Sequence, residues 1–342
     1  MIGNYLLSKN SIISEALDCL TNAKGLGLIV VDEKKSLVGT ITDGDIRRAI
    51  TAGKSLNDSI ESIVFKDPAT ALITTGKDEL LKIVNDKRIK LVPILDNGVV
   101  VDVFTVDINE TKDIPVILMA GGLGSRLGEL TKDCPKPMLK VGGKPVLERI
   151  IENFTRVGFK KFYISVNFKA EMIEEYFKDG KSLDCDIEYL REDMRLGTGG
   201  SLSLLPDDVS GPMVVMNGDL LTLVDFRRLV SFHLAHKSGI TMCTRQFEMQ
   251  VPYGVVNIED GIVHSMEEKP THSFNVNAGV YMMDAAYLKD IKKDIYLDMP
   301  TYVHRLMDKN LKVHCFPMIE KWIDIGKASD LDYARNVYKD SL

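Results

Sequence analysis

From Pro115 onward, apolar strand-like runs alternate with runs of helical spacing: PVILMA, LERIIENFTRVG, KKFYISV, AEMIEEYF, PMVVMN. This alternation constrains the chain more than any single motif does. Strands separated by helix-length crossovers lie mostly parallel in one sheet, with helices packed on its faces. Ligands of such sheets bind beyond the carboxyl ends of the strands. Chemistry is therefore expected in the loops after Ala120, Glu192, Asn217, Asn277 and Trp322.

The first 110 residues follow a different grammar. LIVVDEKKSLVGTITDGD (28–45) is echoed by VPILDNGVVVDVFTVD (92–107), each copy reading strand, turn, strand. A short amphipathic helix precedes each, with Ile13, Ala16, Leu17 and Leu20 at helical spacing in the first and Leu80, Leu81 and Val84 in the second. Neither unit can bury its apolar face alone, so the two are expected to pack together. The segment resembles a tandem pair of CBS domains over 1–110, and GTITDGDIRRAI (39–50) is a close match to the end of one such domain. The resemblance implies that Thr42 and Asp45 bind the ribose of a regulatory nucleotide, with Arg47 and Arg48 where phosphates could be met. In the second repeat, Asp102 stands where Gly39 does and Ile108 where Asp45 does, so at most one ribose site is expected. The alternative is a pair that serves as a dimerisation scaffold. A polar connector, NETKD (109–113), then leads into the alternating region, taken as a second domain over 114–342.

After the strand ending at Ala120 comes a glycine-rich loop, GGLGSRLGELTKDCPKPM, from Gly121 to Met138. Closely spaced glycines let backbone N–H groups approach an anion that a Cβ would obstruct. The loop is not a Walker A motif, because no Gly-Lys-Ser/Thr follows. It also fails the dinucleotide fingerprint, because Leu127 stands where the third glycine should be. Specificity comes from two cations at fixed distance, the rigid fork of Arg126 and the compact charge of Lys136, which together can offset a triphosphate.

AGGLGSRLGELTKDCPKPML resembles the N-terminal signature of the sugar-1-phosphate nucleotidylyltransferases. LGTGGSL (196–202), NGD (217–219), EEKP (267–270), NAGVY (277–281) and WIDIG (322–326) follow in that family's order. The resemblance implies a Rossmann-like, mostly parallel sheet and an Mg²⁺-dependent transfer of a nucleotidyl group from a nucleoside triphosphate to a sugar 1-phosphate. Residue by residue, it implies nucleotide binding by Ala120, Gly121, Gly122, Gly124, Ser125, Arg126, Glu192, Gly197 and Thr198. It places the sugar phosphate against Gly218, Glu268, Lys269, Asn277 and Gly279. Mg²⁺ falls to Asp219 and Asp324, which with Arg126 and Lys136 form the catalytic set. A phosphate oxygen is already nucleophilic at neutral pH, so cations matter and a general base does not.

The position five residues before Gly197 reads the base edge in that family, and here it is Glu192. A carboxylate only accepts. Guanine offers two adjacent donors, whereas uracil and thymine flank one donor with acceptors, so GTP is expected. A CBS pair fused ahead of such a transferase narrows the resemblance to the guanylyltransferases of bacterial legionaminic acid biosynthesis, implying glucosamine 1-phosphate as substrate. Alternatives are a mannose-1-phosphate guanylyltransferase, a thymidylyl or uridylyl enzyme of the same fold, or a catalytically idle nucleotide sensor.

Composition supplies exclusions. Net charge is −6, and residues 1–112 hold 14 Lys and Arg against 16 Asp and Glu, so no basic half invites nucleic acid. No apolar run suits a membrane span or signal peptide, and a cytoplasmic homo-oligomer is expected. The five cysteines never form C-x-x-C, which reads as free thiols. His233 and His236 have zinc-like spacing, but His233 continues the apolar face of Phe226, Leu229 and Val230 and is expected to pack, as is Trp322.

Overall fold

The computed structural model describes residues 2–23, 25–87, 89–106 and 111–338. Asp107 and Ile108 of the second repeat, and Asn109 and Glu110 of the connector, lie outside the described residues. The chain divides into two compact units, Met1–Glu110 and Thr111–Leu342.

The first unit uses one pattern twice. Strand β1 (Leu6–Ser8), helix α1 (Ile13–Asn22), strands β2 (Leu28–Val31) and β3 (Leu37–Ile41) and helix α2 (Asp43–Thr51) form the first copy. Strand β4 (Ala71–Leu72), helix α3 (Lys77–Lys87) and strands β5 (Leu91–Asp96) and β6 (Val99–Thr105) form the second. Each sheet joins one parallel and one antiparallel neighbour, in the orders β1-β2-β3 and β4-β5-β6. Helix α1 turns Ile13, Ala16 and Leu20 inward, and α3 turns in Leu80 and Val84. The copies meet where Leu37 N–H donates to the Gly98 carbonyl at 3.3 Å and Val100 N–H to that of Lys35 at 3.0 Å. Ile29 and Val31 share one apolar cluster there with Leu91 and Val100. Neither sheet buries its apolar face without the other.

In the second unit, strand β7 (Val116–Met119) is followed by a small hairpin, β8 (Lys140–Val141) and β9 (Lys144–Pro145), and by helix α4 (Val146–Thr155). Strand β10 (Lys161–Val166), helix α5 (Ala170–Phe177), strand β11 (Asp186–Arg191) and the single turn α6 (Gly197–Gly200) come next. Then come strands β12 (Pro212–Asn217) and β13 (Leu220–Thr222), helix α7 (Phe226–Ala235) and strand β14 (Ile240–Gln250). The chain ends with a second hairpin, β15 (Gly254–Glu259) and β16 (Ile262–Glu268), then β17 (Thr271–Asp284), α8 (Met299–Asp308), β18 (Val313–Pro317), β19 (Trp322–Asp324) and α9 (Ala328–Val337).

The central sheet runs β11-β10-β7-β12-β17-β14-β18. Its first four strands are parallel, and β17 enters antiparallel to both β12 and β14. Alternation along β7 sends Val116 and Leu118 to a core with α4, α5, α7 and α9, and Ile117 to a core with α8. Chain order reverses between β7 and β12, since β10 lies on one side of β7 and β12 on the other. The carboxyl ends of that pair are the switch point, where doubly wound sheets bind ligands in a crevice.

Several predicted packing roles are realised. His233 is buried, its Nδ1 2.9 Å from Thr241 Oγ1, and burial pushes its pKa down to about 4, so the ring is neutral at pH 7. The Trp322 indole donates to the Ala278 carbonyl at 3.0 Å. All five cysteines are free thiols. Among the described residues no three or more His, Cys, Asp or Glu gather as metal ligands, and no helix is long and apolar enough to cross a membrane.

Candidate active site

The glycine loop begins where β7 ends. Ala120 N–H donates to the Ser165 carbonyl of β10 at 2.9 Å, which fixes the strand end. A Cβ on Gly121 would stand 2.8 Å from Glu192 Oε1, so any larger residue there would push the Glu192 carboxylate aside. Gly124 has φ 64°, and a Cβ would lie 2.9 Å from Thr131 and 3.1 Å from Lys136 Cβ. Both backbone conformation and space therefore select glycine. The Thr131 hydroxyl donates back to the Gly124 carbonyl at 2.9 Å, closing the loop over the following 3₁₀ turn. Gly122, Ser125 and Arg126 are left exposed on its outer side.

Lys136, between two prolines, is 8% exposed and forms an ion pair with Asp219. Asp219 follows β12, and its neighbour Gly218 donates to the Met119 carbonyl at 2.9 Å, bridging the two switch-point strands. A Cβ on Gly218 would be 2.8 Å from that carbonyl oxygen. The short ladder of β13 with β19 sets Leu220 opposite Asp324, and Ile325 N–H donates to the Asp219 carbonyl at 3.2 Å. Two acidic side chains 105 positions apart in sequence thus meet beside the crevice. Burial first, and then the charge of Asp219, push the Asp324 pKa above the usual aspartate range, while Lys136 and Arg126 pull it back. Asp219 Oδ1 is buried without a hydrogen-bond partner among the described residues. An orphaned carboxylate oxygen beside a second carboxylate is what a hard divalent cation such as Mg²⁺ would satisfy, and the donor set fits one.

The base-reading candidate is held from three sides. Ser165 donates to Glu192 Oε1, Leu196 N–H to Oε2 at 2.9 Å, and Asn167 to the Glu192 carbonyl at 2.7 Å. Gly197, at φ 77°, starts the turn α6, and a Cβ on it would meet the Leu297 carbonyl at 2.7 Å. That carbonyl accepts from Gly199 and Gly200 N–H, each at 2.8 Å, and Thr198 Oγ1 accepts from Met299 N–H at 2.9 Å. The turn is thereby docked on the start of α8.

On the far side of β12, Asn277 of β17 is exposed, and its Oδ1 accepts from Gly279 N–H at 3.0 Å. A Cβ on Gly279 would lie 2.7 Å from Asn217 Nδ2. Glu268 and Lys269 are placed differently. They sit at the base of the β15–β16 hairpin, Glu268 opposite Gly254 and Lys269 donating its N–H to the Tyr253 carbonyl at 3.3 Å. Both are exposed, and among the described residues neither side chain is hydrogen-bonded or ion-paired to the Asp219 and Asp324 cluster.

In the first unit, Thr42 caps α2 and Asp45 returns the cap, accepting from Thr42 N–H at 2.7 Å and from its hydroxyl at 2.6 Å, while Arg48 pairs with its other oxygen. Arg47 departs from expectation. It is fully buried and paired with Asp43 at 2.6 Å, so it does not face solvent beside Arg48. Asp43 and Arg47 are four apart on a helix, and that spacing is a readable signal for an intrahelical pair.

Residues that sequence reasoning passed over act as supports. Asp330 Oδ2 accepts from Gly326 N–H at 3.1 Å and Lys327 N–H at 2.9 Å, pinning the loop that carries Asp324. The signal was present as an acidic residue three positions past the cap of a helix. Ser165 and Leu297 had no such signal, because a mid-strand serine and a backbone carbonyl carry no pattern.

The profile of the nucleotidyl transferase family matches residues 115–341, and that of the CBS domain matches residues 5–52. D-glycero-alpha-D-manno-heptose 1-phosphate guanylyltransferase of Campylobacter jejuni is 34% identical over 219 residues, covering 63% of this chain and 95% of that protein. Probable mannose-1-phosphate guanylyltransferase 1 of Oryza sativa is 31% identical over 236 residues, and this chain spans 65% of its length. Among solved structures, HddC from Yersinia pseudotuberculosis complexed with GMP-PN superposes with a TM-score of 0.54 at 25% identity. The match covers 66% of this chain and 100% of that one.

Proposed function

Because this chain belongs to the nucleotidyl transferase family and carries a CBS domain ahead of its transferase unit, we propose that it is a guanylyltransferase, joining GTP to a sugar 1-phosphate with release of pyrophosphate. The observation that carries the reading is the convergence of Asp219, Asp324 and Lys136 at the strand switch point, with Arg126 on the loop beside them. A sugar phosphate oxygen attacks the α-phosphorus, its bond forms as the bond to the β-phosphate oxygen breaks, and both electrons leave with pyrophosphate. Arg126 and Lys136 offset the charge of two anions brought together, and the glycine loop offers N–H groups to the phosphates. Mg²⁺ held by Asp219 and Asp324 would supply a Lewis acid at the α-phosphate.

Glu192 supports guanine, since each of its oxygens retains a lone pair beyond the bonds from Ser165 and Leu196. The named guanylyltransferase relatives support the same base. For the sugar, the fused CBS architecture favours glucosamine 1-phosphate. A second reading, a manno-configured hexose or heptose 1-phosphate, is favoured by what those relatives are named for. The first unit serves as a nucleotide-responsive regulator through Thr42 and Asp45, and the protein works in the cytoplasm. A grid of nucleoside triphosphates against sugar 1-phosphates, read by pyrophosphate release, tests the function. GTP should head the grid, and an empty grid with intact nucleotide binding would point to a sensor.

A further inference from the structure

Three of the six histidines gather where helix α7 ends against the edge strand β18, and the transfer chemistry uses none of them. His236 caps α7. Lys237, left-handed at φ 46°, then turns the chain back, and Ser238 N–H donates to the His233 carbonyl at 3.2 Å. His314 lies on β18 opposite Thr241 of β14, two residues before Phe316, which packs edge-on against Phe232 of α7. The rings of His236 and His314 therefore meet, their centroids 5.2 Å apart and their planes at 50°. Phe232 covers one face of His236, with the ring centroids 4.1 Å apart.

Hydrogen bonding fixes which nitrogen of each ring is free. His236 Nδ1 lies 2.8 Å from the Phe232 carbonyl, which can only accept, so this nitrogen carries the proton. His314 Nδ1 lies 2.8 Å from Ser238 Oγ, whose own hydrogen goes to the Ile240 carbonyl at 2.5 Å. The serine oxygen accepts, and His314 Nδ1 donates. Each neutral ring thus keeps its lone pair on Nε2, and among the described residues no hydrogen bond or ion pair occupies either one. Burial, with His236 and Lys312 beside it, holds the His314 pKa below the ordinary histidine value, which keeps the ring neutral at pH 7. Both side chains are only half buried, so water and ions reach them.

Metal-bound histidines are arranged in this way, the second nitrogen donating to an oxygen that orients the ring. Spacing agrees. Two imidazoles sharing one tetrahedral Zn²⁺, at about 2.0 Å per nitrogen, set their centroids about 5 Å apart, as they are here. We propose that His236 and His314 hold a divalent transition-metal ion of the zinc class through their Nε2 atoms, with water completing the tetrahedron, and that the ion clips the end of α7 to the sheet edge. Among the described residues no carboxylate or thiol joins the pair, and the exposed Lys237 and Lys312 stand nearby. A hard ion held by charge, such as Mg²⁺, is therefore disfavoured against one that imidazole nitrogen binds. The partial negative charge at the carboxyl end of α7 favours the cation. His233 is not a third ligand, since it is buried with its Nδ1 on Thr241.

The test is calorimetric titration of the full chain with ZnCl₂ at pH 7.5, with millimolar Mg²⁺ present throughout. Wild type is compared with His236→Gln, His314→Gln and His304→Gln. The expected wild-type result is a Zn²⁺ site with a Kd in the micromolar range. His236→Gln and His314→Gln should each weaken it at least about tenfold, as loss of one of two ligands requires, and His304→Gln, on α8, should leave it alone. A wild type without micromolar binding, or a folded His236 or His314 variant with the wild-type Kd, overturns the proposal. Should those variants not fold, carbethoxylation of the wild type, read at each histidine by mass spectrometry, decides. Zn²⁺ that slows modification of His236 and His314 supports the site, and equal rates with and without Zn²⁺ overturn it.

Discussion

Asp45 in the first unit and Asp219 in the second are treated oppositely by their surroundings. Asp45 is satisfied: Thr42 donates to one oxygen twice and Arg48 takes the other. Asp219 pairs with Lys136 through one oxygen and keeps the other buried and orphaned. A carboxylate that already caps a helix must break bonds to receive a ligand, whereas an orphaned one gains a bond it lacks. The second unit thus offers an unsatisfied oxygen, and in the first any ligand of Asp45 must displace bonds already made. Glu192, in the second unit, is intermediate in satisfaction, with one donor on each oxygen.

The largest effect should come from the orphaned end of this series. Asp219→Asn and Asp324→Asn should each lower kcat by at least about a hundredfold with the fold retained, because each removes charge where the transition state needs it. Steady-state kinetics across an Mg²⁺ titration checks this, and Mg²⁺-dependent turnover surviving in Asp324→Asn would break the two-carboxylate account. Next comes Lys269, exposed at the base of the β15–β16 hairpin rather than joined to the Asp219 and Asp324 cluster. Lys269→Ala should raise KM for the sugar 1-phosphate about tenfold or more, the size of one charge-assisted bond, and leave KM for GTP alone. Equal changes in both constants would place Lys269 elsewhere.

Glu192→Gln keeps the shape but turns one acceptor into a donor, so Ser165 or Leu196 must also adjust. The ratio of kcat/KM for GTP over UTP or dTTP should fall about tenfold. A fixed ratio would leave Glu192 as a support of the Gly197 turn and nothing more. Smallest of all is Asp45→Ala. It removes a cap, costing the first unit about 1 kcal/mol in denaturant melts with no nucleotide present. It should also abolish a nucleotide response of about 1–3 kcal/mol. A response that survives would show that the satisfied carboxylate is only structural.

Much of this contrast was legible in the sequence, and particular residues show where legibility stops. The apolar runs 115–120, 161–166 and 212–217 give β7, β10 and β12 because each strand is buried on both faces, leaving little ambiguity of period. The motifs around Arg126, Lys136, Asp219 and Asp324 point to one crevice, since each follows a strand end or closes the loop after one. Strand β17 was harder. Its polar first half and apolar second half belong to an exposed ribbon and a buried sheet, and no single period describes both. The carbonyl of Leu297 cannot be read at all, because backbone acceptors have no letter. Nor does sequence say that Asp45 is spent on its own helix, since a capping carboxylate and a ribose-binding one look alike until their donors are counted.

The central claim is nucleotidyl transfer at the Asp219 and Asp324 crevice, and tracking phosphorus tests it most directly. With GTP labelled at the α-phosphate and a sugar 1-phosphate that the grid accepts, the label should appear in a nucleotide sugar. Label at the γ-phosphate should leave as pyrophosphate, and both products should vanish in Asp324→Asn. Label from the γ-position in inorganic phosphate or on the sugar, with the α-label left in GDP, would contradict the account and make the crevice a site of hydrolysis or phosphoryl transfer.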